Sequence, residues 1–319
     1  MTRREKLALT VVTGSLGSGK TTLLRRALSA SPREQFAAVV NEAADTGVDA
    51  ELLAGLCARA VDLAGGCACC ERRAELIAAL KSLYDEHERG ELPDLRHVVV
   101  ETSGLADPLP IVAAVAGDPV LRHHYEVRSV VAVVDGLEAA SATDFAEERP
   151  QLASADRILV SKSDLVSARE VNALRARLAA TGIVAPVELT AVAWRDLFRR
   201  LTAEQRIAHL AVAAPQPHQH ADGVSSTSIT FDGAVDWVAF GVWLSLLLHA
   251  HGGRVLRVKG IVPTDGLGTI AINSVRRLLY PPEHVAGVLD GHGARLVVIA
   301  QELDATAIRR SLDAFQRIA

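Results

Sequence analysis

Apolar residues along this chain are unevenly spread: through about the first 190 positions they gather into short runs rich in β-branched residues, separated by stretches of helical period. The runs at Leu7–Thr13, 36–41, 96–101, 127–135, 157–162 and 186–190 predict six strands. Several are apolar at consecutive positions, as in strands buried on both faces, so the pattern predicts an α/β fold with a mostly parallel sheet and helices on both sides. Between 213 and 228 the apolar period is lost and two prolines appear, which reads as a linker. Beyond it, helices expected at 234–249 and 304–318 flank strand-like runs at 254–262, 269–272 and 295–300. The expected organisation is a large domain over 1–212, a linker over 213–228 and a small α+β domain over 229–319.

Charge and cysteine usage narrow the function. The 319 residues include 34 basic and 38 acidic side chains, a net charge of −4, so nothing favours a nucleic-acid partner. The polar amino terminus lacks a secretory core, and no apolar run approaches the roughly 18 residues of a membrane span. A soluble cytoplasmic protein without a membrane partner is expected. Of four cysteines, three fall within residues 67–70. Adjacent Cys69 and Cys70 cannot pair without strain, so the cluster points to metal rather than to a disulfide framework.

The stretch from Gly14 to Thr21, Gly-Ser-Leu-Gly-Ser-Gly-Lys-Thr, fits GxxxxGK[ST] between a predicted strand and a predicted helix. Gly14, Gly17, Ser18 and Gly19 would turn backbone N–H groups to the phosphates of GTP or GDP, and Lys20 would reach the terminal phosphates. The Thr21 hydroxyl would ligate Mg²⁺, and Thr22 follows on the same helix turn. Glu101 ends an apolar strand and is followed three residues later by Gly104, the arrangement of a carboxylate near Mg²⁺ and a glycine amide that senses the γ-phosphate. Ser161-Lys162-Ser163-Asp164 is similar to the base-reading Asn-Lys-x-Asp, with serine in place of asparagine. Asp164 would accept two N–H groups of guanine, which adenine cannot supply, and Thr190-Ala191 would add a last contact. No activating glutamine or arginine finger stands out, so slow intrinsic hydrolysis is expected.

Gly65-Gly66-Cys67-Ala68-Cys69-Cys70 lies between the second and third predicted strands. Three thiolates beside a helix start make a soft site suited to Zn²⁺, Cu⁺ or, in a constrained geometry, Co²⁺ or Ni²⁺, and leave a fourth position open; Zn²⁺ or Co²⁺ is the expected cargo. A redox-sensing thiol cluster and inert buried cysteines are the competing readings, and lone Cys57 reads as a core residue.

Together these residues resemble the CobW family of metallochaperone GTPases, a branch of the P-loop proteins. The match runs through the phosphate loop, Gly-Gly-Cys-x-Cys-Cys, Glu-Thr-Ser-Gly-Leu-Ala-Asp-Pro beginning at Glu101, and terminal-domain signatures beginning at Leu256 and Arg295. The resemblance implies that Cys67, Cys69 and Cys70 bind a cargo metal with an affinity set by the nucleotide. It also implies that Glu42, in Asn41-Glu42-Ala43-Ala44-Asp45, belongs to a switch segment near metal and nucleotide. The family's Phe-Gly pair is absent there, and Asp45 is shorter than the family's glutamate. The function implied is GTP-driven delivery of metal to a client metalloprotein, with a homodimer left open. A metal buffer or sensor with structural nucleotide and a nickel-type maturation GTPase remain alternatives. His218, His220, His123 and His124 read as solvated side chains.

Overall fold

The computed structural model describes residues 5–41, 48–63, 69–104, 106–141, 147–180, 185–199, 224–231, 233–280, 282–285 and 295–318, with Phe145 and Ile183 between them. It divides into two compact units, residues 1–172 with 186–200 and residues 173–185 with 201–319.

The first unit is built on seven parallel strands: β1 (Leu7–Thr13), β2 (Phe36–Val40), β3 (Arg59–Asp62), β4 (His97–Glu101), β5 (Tyr125–Asp135), β6 (Arg157–Ser161) and β7 (Val187–Leu189), in the order β3-β2-β4-β1-β5-β6-β7. Six of these occupy the predicted runs. The seventh, β3, escaped prediction because it is a four-residue edge strand whose Arg59 and Asp62 are exposed, which removes the apolar signal. The central strands are buried at every position, as their continuous apolar runs require.

Alternation divides the core between the two faces of the sheet. On one side Val12, Ala38, Val40, Val99 and Val133 pack with Leu23, Leu24 and Leu28 of α1 (Lys20–Ser29) and Leu53 of α2 (Val48–Ala54). Cys57 is fully buried in that cluster, its thiol directed at the carbonyl of Leu53 (3.3 Å) and pushed up in pKa by burial, in agreement with its reading as a core residue. α3 (Cys69–Glu88), α4 (Leu109–Gly117) and α5 (Pro119–His124) pack against one another, α3 burying Leu76, Leu80 and Leu83 at helical spacing. Further helices among the described residues are α6 (Gly136–Ser141), α7 (Arg149–Ser154), α8 (Ala168–Ala180), which runs across the division after residue 172, and α9 (Thr190–Ala193).

His97 of β4 is an acid-sensitive point in this core. It is 4% exposed, shares a 2.8 Å hydrogen bond with the Thr10 hydroxyl and lies against Phe36 and Phe198. Burial, reinforced by the charge of Arg128, holds its pKa down to about 3. Between that value and the unfolded one near 6.5, the unfolded chain binds the extra proton. Its contribution is therefore complete above pH 6.5 and is lost as pH falls, by about 2 kcal/mol at pH 5. Urea unfolding of this unit at pH 7.5 and pH 5.0 should show that loss in the native protein. A correspondingly smaller loss is expected in His97→Gln, and equal losses in both would refute the assignment.

In the second unit, β8 (Val224–Thr230), β9 (Val255–Thr264), β10 (Gly268–Val275), β11 (Leu278–Leu279) and β13 (Arg295–Gln301) form an antiparallel sheet, with β12 (Glu283–Val285) paired to β10. α10 (Trp237–His251) and α11 (Ala305–Ile318) pack on it, burying Phe240, Trp243, Leu244, Ile308 and Leu312 against Val258, Ile270 and Val298. The Trp243 indole donates to the Ser311 hydroxyl at 2.9 Å and ties the helices together. α10 begins at Trp237 rather than 234 because Asp236 caps it, accepting from the Ala239 N–H at 2.7 Å. β8 begins inside the stretch expected to be linker. Val-Ser-Ser-Thr-Ser-Ile-Thr lacks the apolar run that announces a strand, yet as an edge strand it needs only one partner, β13, and buries Thr227 and Ile229.

Candidate functional site

Backbone constraints set the course of the phosphate loop between β1 and α1. Gly14 has φ +143°, and a Cβ there would lie 2.2 Å from the Val133 carbonyl oxygen, so only glycine lets the chain leave β1 this close to β5. At the other end Gly19 precedes Lys20, the first residue of α1. No side chain caps this helix, so its leading N–H groups can serve an anion. Lys20 is 7% exposed, and its ammonium donates to the carbonyls of Gly14 and Ser15, both at 2.9 Å, which holds a positive charge at the loop. Ser18 is fully buried, so any contribution it makes to a ligand comes through its backbone.

The Thr21 hydroxyl donates to Glu101 Oε1 at 2.7 Å. Glu101 is 3% exposed at the end of β4, in register with Val12 on one side and Val40 on the other. Three residues on, a Cβ at Gly104 would meet the Leu16 amide nitrogen at 2.6 Å, so this segment lies directly against the phosphate loop and glycine is required. Gly17, Gly19, Lys20, Thr21, Thr22, Glu101 and Gly104 line one cavity of about 530 Å³, within the usual range for small-molecule sites. Asn41 at the end of β2 joins the wall, as do Arg25 and Leu52, which sequence reasoning missed. The paired hydroxyl and carboxylate are hard oxygen donors of the kind Mg²⁺ takes, so these two residues fit that ion.

Ser161 closes β6 beside the loop, its Cβ 3.6 Å from where a Cβ at Gly19 would stand, and its hydroxyl donates to the Val134 carbonyl at 3.3 Å. Lys162 adopts a left-handed φ of 50° and forms an ion pair with Asp135, which raises its pKa. The other Asp135 oxygen accepts the Leu137 N–H at 2.9 Å at the start of α6. Asp135 was not among the expected site residues, although an acid closing a long apolar strand was the available signal. Asp164 is exposed one turn further, and Thr190 opens α9 after β7. None of these lines the phosphate cavity.

The cysteine motif joins β3 to α3, which starts at Cys69. Cys67, Glu42 and Asp45, and the side chains of Cys69 and Cys70, lie outside the described residues, as do His218 and His220. His123 and His124 end α5, and His124 stacks on Tyr84 with ring centres 3.8 Å apart. Among the described residues no group of three metal-ligating side chains is assembled, and no helix is long and apolar enough to cross a membrane.

Comparison with known proteins agrees with this geometry. Residues 8–188 match the family model for the CobW/HypB/UreG nucleotide-binding domain, and residues 224–316 match that for the cobalamin synthesis protein CobW C-terminal domain. The zinc chaperone YjiA of Escherichia coli is 32% identical over 82% of this chain and 83% of its own length. The zinc chaperone CobW of Sinorhizobium is 30% identical over 97% of both. The crystal structure of Zn(II)-bound YjiA GTPase from E. coli superposes with a TM-score of 0.67 over 98% of this chain and 99% of that one, at 24% identity, which establishes a shared fold.

Proposed function

Because the chain belongs to the CobW/HypB/UreG family of P-loop GTPases and carries a CobW-type terminal domain, we propose that its GTPase cycle gates a transition-metal cargo. In this reading Cys67, Cys69 and Cys70 hold the ion, with Glu42 nearby, and a client metalloprotein receives it. The GTPase domain in this reading spans about 1–212, and the terminal domain starts by Val224, where β8 joins its sheet, rather than at 229. Relatives named zinc chaperones make zinc the first cargo to test and cobalt the second.

The observation that supports the coupling is a row of hydrogen bonds across the carboxyl edge of the sheet. Leu63 N–H donates to the Val40 carbonyl, Asn41 N–H to that of Glu101, and Thr102 N–H to that of Val12, each at 2.9 Å. β3 leads into the cysteine motif, β2 into Glu42, β4 into Gly104 and β1 into the phosphate loop. A displacement of Gly104 and Glu101 around a γ-phosphate is thus one or two peptide units from the roots of both metal-side segments.

Lys20 and the leading N–H groups of α1 bind the phosphates and offset their charge. Thr21 and Glu101 would hold Mg²⁺, which neutralises further charge when bound. Asp164 selects guanine by accepting its two N–H donors, with Lys162 steadied by Asp135 beside it. With no water-activating side chain among the expected residues, slow turnover and a long-lived GTP state are the expectation, which would suit a carrier that must reach its client.

Titration with Zn²⁺ and Co²⁺ against a competing chelator, in Mg²⁺ with GDP or a non-hydrolysable GTP analogue, tests the reading. Affinity should be higher by about 5- to 150-fold with the analogue, the usual size of such couplings. Equal affinities would leave a buffer or structural site.

A further inference from the structure

Gln151 of α7 is 4% exposed and lies 47 residues from Gly104 in sequence, yet its amide nitrogen donates to the carbonyls of Gly104 and Ala106, both at 3.1 Å. The Ala106 carbonyl also takes a 3.4 Å contact from the Thr13 hydroxyl, and Thr13 in turn accepts from the Thr102 hydroxyl at 2.9 Å. The segment after Glu101 is therefore fixed from two sides, by the end of β1 and by one buried side chain of α7. Gln151 further borders, with Gly14 and Ser15 of the phosphate loop, a cavity of about 30 Å³, room for a single water. One amide thus stands behind both loops that would meet the terminal phosphate.

We propose that Gln151 is a positioning residue for γ-phosphate recognition: by clamping two carbonyls it holds Gly104 against the phosphate loop in the geometry that receives GTP. It touches neither nucleotide nor metal and acts only through the Gly104 segment. The inference rests on the reading that Gly104 senses the γ-phosphate. Its physical basis is that both amide hydrogens of a buried group are committed to one short segment. Losing them frees that segment, takes the donor from the buried Gly104 carbonyl and leaves the part-buried Ala106 carbonyl with the longer Thr13 contact. GDP has no γ-phosphate, so its binding draws on Lys20 and the loop without needing Gly104 in place.

The test is the ratio of affinities for a non-hydrolysable GTP analogue and for GDP, measured on the full chain with Mg²⁺. Gln151→Met keeps the volume and removes both donors. It should lose about tenfold in analogue affinity with GDP affinity unchanged. Should that variant unfold, Gln151→Asn, whose amide is one methylene too short to span both carbonyls, carries the same expectation. A purely structural role would weaken both nucleotides together, and an unmoved ratio overturns the proposal. Gly104→Ala, run alongside, separates the two layers. If it lowers the ratio while the Gln151 variants do not, the role of Gln151 is refuted and the reading of Gly104 stands. If it leaves the ratio intact, the reading of Gly104 fails and the proposal falls with it.

Discussion

Lys20→Ala should reduce GTP turnover by on the order of 100- to 1,000-fold, the usual effect of removing one preorganised electrostatic group from a transition state. The side chain sits 7% exposed with its ammonium fixed by the Gly14 and Ser15 carbonyls, so its charge is held in place before any nucleotide arrives. It costs little reorganisation at the moment of reaction, which is why its loss is large. Lys20→Arg should not rescue. A planar guanidinium cannot reproduce the point contact of an ammonium against two loop carbonyls, and the buried site leaves it no room. Phosphate release under saturating GTP is the measurement, with circular dichroism as the control for folding. Metal affinity of the nucleotide-free variant is a second control, since the cysteine motif lies beyond β3 and does not depend on Lys20. Turnover within threefold of the native protein would place the chemistry elsewhere.

The sheet of the first unit was legible because its central strands are buried on both faces and so write uninterrupted apolar runs, as at Val98, Val99 and Val100. β3 and β8 were not, for one shared reason. Edge strands satisfy only one partner and tolerate the exposed Arg59 and Asp62 or a run of serines, which erases the period. The phosphate loop was legible as a local motif whose glycines answer local steric demands, such as the 2.2 Å approach to Val133 at Gly14. Gln151 was invisible for the opposite reason: its role exists only through a partner 47 residues away, and nothing in its own neighbourhood marks it. Asp135 carried only the general signal of an acid closing an apolar strand, and its partner Lys162 lies 27 residues away. The terminal residues of the strands carry the site, and what supports those residues comes from wherever the topology brings it.

Linkage sets the strongest demand on the carrier reading. If the GTP analogue tightens metal binding by some factor, metal must tighten analogue binding by the same factor. Zinc added to the native protein should therefore raise the ratio of analogue affinity to GDP affinity by that same factor over its zinc-free value. Cys69→Ala should reduce zinc affinity by more than about 100-fold, since even groups that merely orient a metal's ligands are worth 10- to 100-fold. The same substitution should abolish the effect of zinc on nucleotide binding without changing analogue affinity in zinc-free buffer. That combination follows from position: Cys69 opens α3, whereas the phosphate cavity is lined by residues of the loop, α1, α2, the ends of β2 and β4 and the segment after β4, none of them in the cysteine motif. Calorimetry of the analogue with and without zinc, in both proteins, reads all four terms of the cycle. A tight zinc site whose occupancy leaves nucleotide affinity untouched would make the two sites independent. The row of hydrogen bonds from Leu63 to Val12 would then be ordinary sheet structure with no role in transmission.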